Sequence, residues 1–182
     1  CSGLVGSEMC IRDRLIICMK KLNIEIETHG CKLNFADSQS IAKKFYSAGH
    51  NVFGDNEIGH RDIYILNSCT VTHVADSKAR QSIRKVKRSN PEAVTIMTGC
   101  YAERDKDKIK EINEVDLVIT NQEKKDILEK VYDYFNEELV EIPELDSYPL
   151  IGRSRASIKI QEGCNQICSY CIIPYVLSLI HI

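Results

Sequence analysis

Tryptophan is absent from these 182 residues, and four phenylalanines and eight tyrosines are the only large aromatic side chains. They are scattered, so no aromatic-rich platform for stacking unpaired RNA bases is present. Four prolines and nine glycines are too few for a low-complexity tract, and no internal repeat is found. No apolar run approaches the roughly 18 residues of a membrane span. The first apolar stretch, Leu15 to Met19, is too short for a secretory core and has no small-residue cleavage site. Neither sign of charge dominates: 24 Lys and Arg against 26 Asp and Glu leave a formal net charge of -2. These absences exclude an exported or membrane-embedded chain and lead to the expectation of a soluble, cytoplasmic globular protein with no membrane contact. The length suffices for one domain with a real core and the beginning of a second.

Cysteine, in contrast, is abundant, with nine residues. In a reducing compartment cysteines serve more often as metal ligands or reactive groups than as disulfides, and an odd count fits a disulfide framework poorly. They form three groups: Cys1, Cys10 and Cys18 in the leading segment, Cys31, Cys69 and Cys100 widely spread, and Cys164, Cys168 and Cys171 close together. Residues 1–22 read as a leader. Its part through Arg14, and the closing residues 177–182, share no periodicity with their neighbours and resemble translated sequencing-adaptor read-through, so both are set aside. Cys1 and Cys10 therefore receive no role, and Cys18 reads as a small buried hydrophobe.

From Asn23 onward short apolar runs alternate with longer amphipathic stretches, the signal of an α/β domain with a parallel sheet. Asn23 to Thr28, Asp62 to Asn67, Ala93 to Thr98 and Val115 to Thr120 read as strands, with Val52 to Phe53 and Leu139 to Ile142 as edge pieces. Ala36 to Ala48, Asp76 to Arg88, Asp105 to Ile112 and Lys124 to Phe135 read as helices; Ile41, Ala42, Phe45 and Ala48 share one face of the first, and Gly49 stops it. The expected architecture is a flavodoxin-like parallel sheet over residues 23–142. Residues 143–155 read as a linker. Residues 156–176 read as the start of a second domain, with a strand at Ala156 to Gln161 running into the clustered cysteines.

Cys164, Cys168 and Cys171 have the spacing Cys-x3-Cys-x2-Cys, with Tyr170 before the last. Three thiolates on one tight loop can bind three irons of a 4Fe-4S cluster and leave the fourth open to an amino and carboxyl group, as of S-adenosyl-L-methionine. Such a cluster can pass an electron to a sulfonium and release a carbon radical. Tyr170 reads as packing near that cofactor or shielding the cluster. A structural zinc site is the competing reading, but it needs a fourth ligand, and His181 lies in the segment set aside. The loop resembles the signature of the radical-SAM superfamily, whose members place it after the first strand of a barrel.

Cys31, Cys69 and Cys100 each follow directly on an expected strand. The carboxyl ends of parallel strands share one sheet edge, where ligands commonly sit, so three loops there can bring three thiols together. Singly each would read as a buried hydrophobe; a redox disulfide among them is a further alternative. Gly30 and Gly99 allow close backbone approach beside two of them.

The strings Thr28-His29-Gly30-Cys31-Lys32-Leu33-Asn34 with Asp37-Ser38, Asn67-Ser68-Cys69-Thr70-Val71-Thr72 and Thr98-Gly99-Cys100-Tyr101-Ala102 resemble the N-terminal domain of the bacterial radical-SAM tRNA methylthiotransferases. The run from Arg153 through Cys164 and Asn165, with Ile172-Ile173-Pro174-Tyr175, is similar to the branch acting on threonylcarbamoyladenosine more than to the isopentenyladenosine branch. The likeness covers Asn23 to Val176. It implies two 4Fe-4S clusters, one on Cys31, Cys69 and Cys100 for the sulfur to be inserted, and one on Cys164, Cys168 and Cys171 for S-adenosyl-L-methionine. It implies a transferase that adds a methylthio group to C2 of N6-threonylcarbamoyladenosine in tRNA, beside the anticodon. A reductant such as flavodoxin or ferredoxin and a sulfur donor are implied as partners. An unactivated C–H bond gives acid–base catalysis no handle, which is why a radical suits the reaction.

After Val176 the family continues with an arginine–glycine pair and the rest of the barrel, whereas this chain turns to Leu177-Ser178-Leu179. The expectation is an N-terminal fragment with a truncated barrel, inactive by itself. Lys78, Arg80, Arg84, Lys85, Lys87 and Arg88 on one helix are candidate RNA contacts or an ordinary solvated face. Asn34, Asp37, Asn67, Thr70 and Lys78 are candidates for lining the cluster pocket, or for hydrogen-bonding loop backbone. Two other functions stay open: methylthiolation of a ribosomal-protein aspartate, and a non-catalytic iron–sulfur or metal module.

Overall fold

Strands that are apolar on both faces must be covered on both, and the computed structural model, which describes residues 21–54, 60–136, 158–177 and 180–181, meets that requirement with helices above and below one sheet. In chain order the elements are β1 (Asn23–Thr28), α1 (Lys32–Ser47), β2 (Asn51–Phe53), β3 (Ile63–Ser68), α2 (His73–Ser89), β4 (Val94–Gly99), α3 (Cys100–Arg104), α4 (Lys106–Lys110), β5 (Leu117–Ile119), a 3-10 turn (Gln122–Asp126) and α5 (Ile127–Phe135). All neighbouring pairs are parallel and the order is β2-β1-β3-β4-β5, the flavodoxin order expected.

Alternation along β3 divides the core. Ile63 and Ile65 face one layer with Ile24, Ile26, Ile96 and Ile119, against Ile41 and Phe45 of α1 and Ile127 and Val131 of α5. Tyr64 and Leu66 face the other, with Met97, against Ala79, Ile83 and Val86 of α2 and Tyr101, Ala102 and Ile109. Every residue of β3 is buried, which makes it the central strand of the domain. Leu22, grouped above with the leader, belongs to this core and its carbonyl accepts from the Asn51 amide at 3.0 Å.

Helix ends are set by local chemistry. Gly49 (φ +88°) stops α1: its N–H bonds Tyr46 O at 3.0 Å and the His50 N–H bonds Phe45 O at 3.1 Å, a double C-terminal closure that favours glycine. The Thr72 hydroxyl caps α2 by accepting from the Ala75 amide at 3.2 Å.

The structure differs from the sequence reading in several elements. Helix α1 begins a turn earlier than the expected Ala36, at Lys32, so Asn34 lies in helix along with Asp37. The helix expected over Asp105 to Ile112 is the shorter α4, separated from α3, which the sequence reading lacked, at Asp105, whose carboxylate takes Arg104 Nε at 2.6 Å and Lys108 Nζ at 2.9 Å. The last helix opens as the 3-10 turn before becoming α-helical at Ile127. The strand expected over Ala156 to Gln161 is reduced to β6 (Gln161–Glu162), paired antiparallel with β7 (Ile180–His181). Ile158 and Ile160 are 85% and 75% exposed, and among the described residues no strand lies beside them to pair with. The edge strand at Leu139 to Ile142 and the linker 143–155 lie outside the described residues, as does nearly all of the leader.

Candidate metal centre

Three parallel strands end side by side, and a cysteine follows each. Cys31 stands after β1 as the residue preceding α1, Cys69 follows β3, and Cys100 opens α3 straight from β4. All three are free thiols, exposed, half-buried and buried in that order. They are close enough to act on one another: burial pushes the Cys100 thiol up to about 11, and Cys69 and Cys31 push it the same way, while the Lys124 ammonium pulls it down.

The loops are held by their own backbone and amides. The His29 amide donates to Asn67 O at 2.8 Å, joining the end of β1 to β3. Asn34 Nδ2 donates back to His29 O at 3.0 Å while its Oδ1 accepts from Cys31 Sγ at 3.7 Å. Asn67 Nδ2 donates to Asn34 O at 2.8 Å and to Ser38 Oγ at 3.0 Å, and Ser68 Oγ to Thr98 O at 3.0 Å. Asn34 and Asn67 thus shape the pocket by bonding loop and helix backbone. Thr70 instead bonds a side chain of α2: its hydroxyl donates to Asp76 Oδ1 at 2.8 Å.

The glycines are required by space. A Cβ on Gly30 would lie 2.8 Å from the Cβ of Cys69, and one on Gly99 (φ +98°) 2.3 Å from Ser68 O. A side chain at either glycine would therefore collide with the neighbouring loop. The soft, all-sulfur donor set of the three thiols, on strand ends already joined, fits an iron–sulfur cluster. Among the described residues no three Cys, His, Asp or Glu side chains converge as the ligands of one metal ion. A cluster spreads its cysteines over different irons, so its ligands need not converge on one point.

Arg104, which the sequence did not single out, ties two of the loops. Its guanidinium reaches Asp76 Oδ2 at 2.7 Å and Thr70 O, next after Cys69, at 3.3 Å, from the helix that Cys100 begins. An isolated arginine four residues after a cysteine carries no spacing signal, since its partners lie 28 and 34 residues away.

Cys164, Cys168 and Cys171 all lie on the stretch between β6 and α6 (Ile173–Val176), half-buried, exposed and half-buried. The Gln166 amide approaches Cys164 Sγ at 3.4 Å and the Cys171 amide bonds Cys168 O at 3.1 Å, so the loop folds on itself with Gly163 at φ +74°. Tyr170 is 90% exposed and packs on nothing described. Beyond the loop, α6 returns to the sheet edge. Val176 and Leu177, the latter grouped above with the closing segment, cover Cys100 together with Leu33, Ile172 and Ile173, and Asn121 Nδ2 donates to Val176 O at 2.8 Å. One apolar cap therefore joins the two cysteine sets.

Of the basic residues on α2, three pair with groups elsewhere in the domain, Arg84 while itself exposed. Arg80 donates to the Tyr101 hydroxyl at 2.7 Å, Arg84 lies 3.5 Å from Glu114, and Lys87 bonds Asp116 at 2.8 Å. Lys78, Lys85 and Arg88 are exposed.

Comparison with known proteins agrees with this edge. The chain is 34% identical over 165 residues to a protein of Aquifex aeolicus (strain VF5) named threonylcarbamoyladenosine tRNA methylthiotransferase MtaB, covering 85% of this chain and 40% of that one. The protein of the same name from Bacillus subtilis (strain 168) is 37% identical over 169 residues, 86% of this chain and 37% of the relative. A tRNA-2-methylthio-N(6)-dimethylallyladenosine synthase of Chloroherpeton thalassium is 31% identical over 170 residues, 87% of this chain and 38% of its own length. The chain thus spans about 40% of the length of the curated relatives it matches. Among the described residues no helix is long and apolar enough to cross a membrane. A family model matches residues 23–120, from the first residue of β1 to just past β5 and through all three dispersed cysteines. The chain belongs to the family that this model describes, Uncharacterized protein family UPF0004.

Proposed function

We propose that this chain is the cluster-bearing N-terminal part of a radical-SAM methylthiotransferase that places a methylthio group on C2 of N6-threonylcarbamoyladenosine in tRNA. The observation that carries the reading is the row of Cys31, Cys69 and Cys100 at the carboxyl ends of β1, β3 and β4. The relatives' names support the substrate, at 34% and 37% identity for two threonylcarbamoyladenosine enzymes against 31% for the dimethylallyladenosine synthase. Cys31, Cys69 and Cys100 hold one 4Fe-4S cluster, and Cys164, Cys168 and Cys171 hold the second, which also binds S-adenosyl-L-methionine. When bound, these groups supply a hydrogen-abstracting carbon radical, a sulfur carrier and a methyl donor.

The chain's own residues prepare that chemistry. Gly30 and Gly99 let the strand-end loops meet with no side chain between them. Asn34 and Asn67 fix those loops to α1, and Arg104 fixes the Cys69 loop to the helix of Cys100. Leu33, Ile172, Ile173, Val176 and Leu177 keep water from Cys100, which protects reactive intermediates from side reactions. A cytoplasmic enzyme with a flavodoxin- or ferredoxin-type reductant and a separate sulfur donor is the setting this chemistry needs.

The test uses the full-length gene that contains this chain, expressed in a bacterium deleted for its own threonylcarbamoyladenosine methylthiotransferase. Nucleoside mass spectrometry of its tRNA is expected to show the 2-methylthio derivative restored, and lost again with Cys69→Ala. Unmodified nucleoside with the intact gene would contradict the assignment.

A further inference from the structure

The two cysteine sets are joined by charge as well as by apolar contact. Asp37 of α1 is only 7% exposed, and both of its carboxylate oxygens are used. Oδ2 accepts from Lys124 Nζ at 2.8 Å, 87 residues away, and Oδ1 from Lys159 Nζ at 2.9 Å, 122 residues away. Lys159 Nζ also donates to Glu162 Oε2 at 2.8 Å. Four charges of alternating sign therefore run from the 3-10 turn, through α1, to the segment that enters the clustered cysteines. They line one cleft of about 720 Å³.

We propose that Asp37 is a positioning residue whose carboxylate locks the segment entering Cys164 against the helix that starts beside Cys31, and so sets the separation of the two cysteine loops. Lys159 precedes Cys164 by five residues and Asp37 follows Cys31 by six, so the link joins segments that lie close to both loops along the chain. Exposed ion pairs hold little, but a buried carboxylate with both oxygens occupied is different: removing it takes away the anion shared by two lysines whose side chains are 11% and 28% exposed. Burial works against the charge on Lys159, and Glu162 and Asp37 more than offset it, holding its pKa above the ordinary lysine value. The Lys124 ammonium also acts on Cys100, so one carboxylate sits between a cation facing the dispersed thiols and a cation on the arm of the clustered ones. The catalytic meaning of the lock rests on the function proposed above, because transfer between two centres demands that their separation be held. The lock itself is a property of the metal-free chain.

Hydrogen exchange on the iron-free chain tests it, read in peptides covering 161–177 and, as reference, in β3 and β4. Asp37→Asn and Lys159→Met are each expected to speed exchange in 161–177 about tenfold, the ratio that ~1.4 kcal/mol supplies, with β3 and β4 unchanged. The double variant is expected to exchange no faster than the faster single one, because both remove the same link. Lys159→Arg, which keeps the charge, is expected to retain the protection. Unchanged exchange in both single variants, additive effects in the double, or an Arg variant as open as the Met variant would overturn the proposal. Should Asp37→Asn loosen the whole sheet, Lys159→Met decides alone, since Lys159 lies outside the sheet. Iron is absent throughout, so a failure of the chain to bind clusters would count against the proposed function and leave this result intact.

Discussion

Cys31, Cys69 and Cys100 come together because five strands run parallel, whereas Cys164, Cys168 and Cys171 come together because they are three and four residues apart in the chain. The first set is placed by tertiary structure: central strands buried on both faces, amides bonding across 33 residues, and glycines where an added Cβ would strike Asn34 and Cys69 or the backbone of Ser68. The second is placed by local turns, with one backbone bond from Cys171 to Cys168 and an exposed Cys168 and Tyr170. On the function proposed above, the first set would be held by the fold before a cluster arrives, and the second would take its final shape with the cluster. The difference also says where substitutions hurt: beside the dispersed set they damage the fold, beside the clustered set they damage the site.

The largest effect is expected at Gly99. An added methyl meets Ser68 O at 2.3 Å and Asn67 Oδ1 at 2.6 Å with φ at +98°, so Gly99→Ala is expected to cost at least ~3 kcal/mol in urea unfolding of the metal-free chain. A loss below ~1 kcal/mol would mean that the strand ends can yield, and the contrast between the two sites would weaken.

Acid gives the next largest effect, again on the side of the dispersed set. Glu27 is half-buried on β1, which opposes its charge, but His29 at 2.6 Å, Tyr64 at 2.5 Å and Ser82 at 3.0 Å bond the carboxylate and hold its pKa down to about 2. The folded value lies below the unfolded one, so the stabilisation is complete above roughly pH 4.5 and is lost as the pH falls toward 2. About 3 kcal/mol of pH-dependent stability is expected in that window, and Glu27→Gln is expected to flatten it. A wild-type curve already flat between pH 5 and 2.5 would sink this point.

At the clustered loop the same kind of substitution is expected to do least. Gly163 has φ +74°, so Gly163→Ala strains the backbone by ~1 kcal/mol locally, and urea unfolding of the sheet is expected to stay within ~0.5 kcal/mol of wild type. Equal losses at Gly163 and Gly99 would erase the distinction between a fold-placed and a locally placed site.

Much of this was readable in the chain. Alternating apolar residues mark β1 to the residue, and the strand–helix alternation leads to the flavodoxin order, because burying both sheet faces leaves few other solutions. The candidate ligands were readable from their position after strands. The start of α1 was not: Cys31 sits where a helix-capping side chain usually does but makes no capping bond, so the sequence lacks the ordinary start signal. The break at Asp105 depends on Arg104 and Lys108 gathering around one carboxylate. The ion pairs of Asp37 were not readable, because its partners, Lys124 and Lys159, are ordinary charged residues 87 and 122 positions away. Charge pairing over such separations has no periodicity to betray it. Likewise three of six basic residues on α2 are spent on Tyr101, Glu114 and Asp116, which a helical pattern cannot reveal.

The central claim is that two separate cysteine sets each hold a cluster, and iron with acid-labile sulfide after anaerobic reconstitution tests it most directly. The intact chain is expected to carry about eight irons, and the chain with Cys31, Cys69 and Cys100 all changed to alanine about four. Zinc in place of iron, or equal iron in the two proteins, would contradict it.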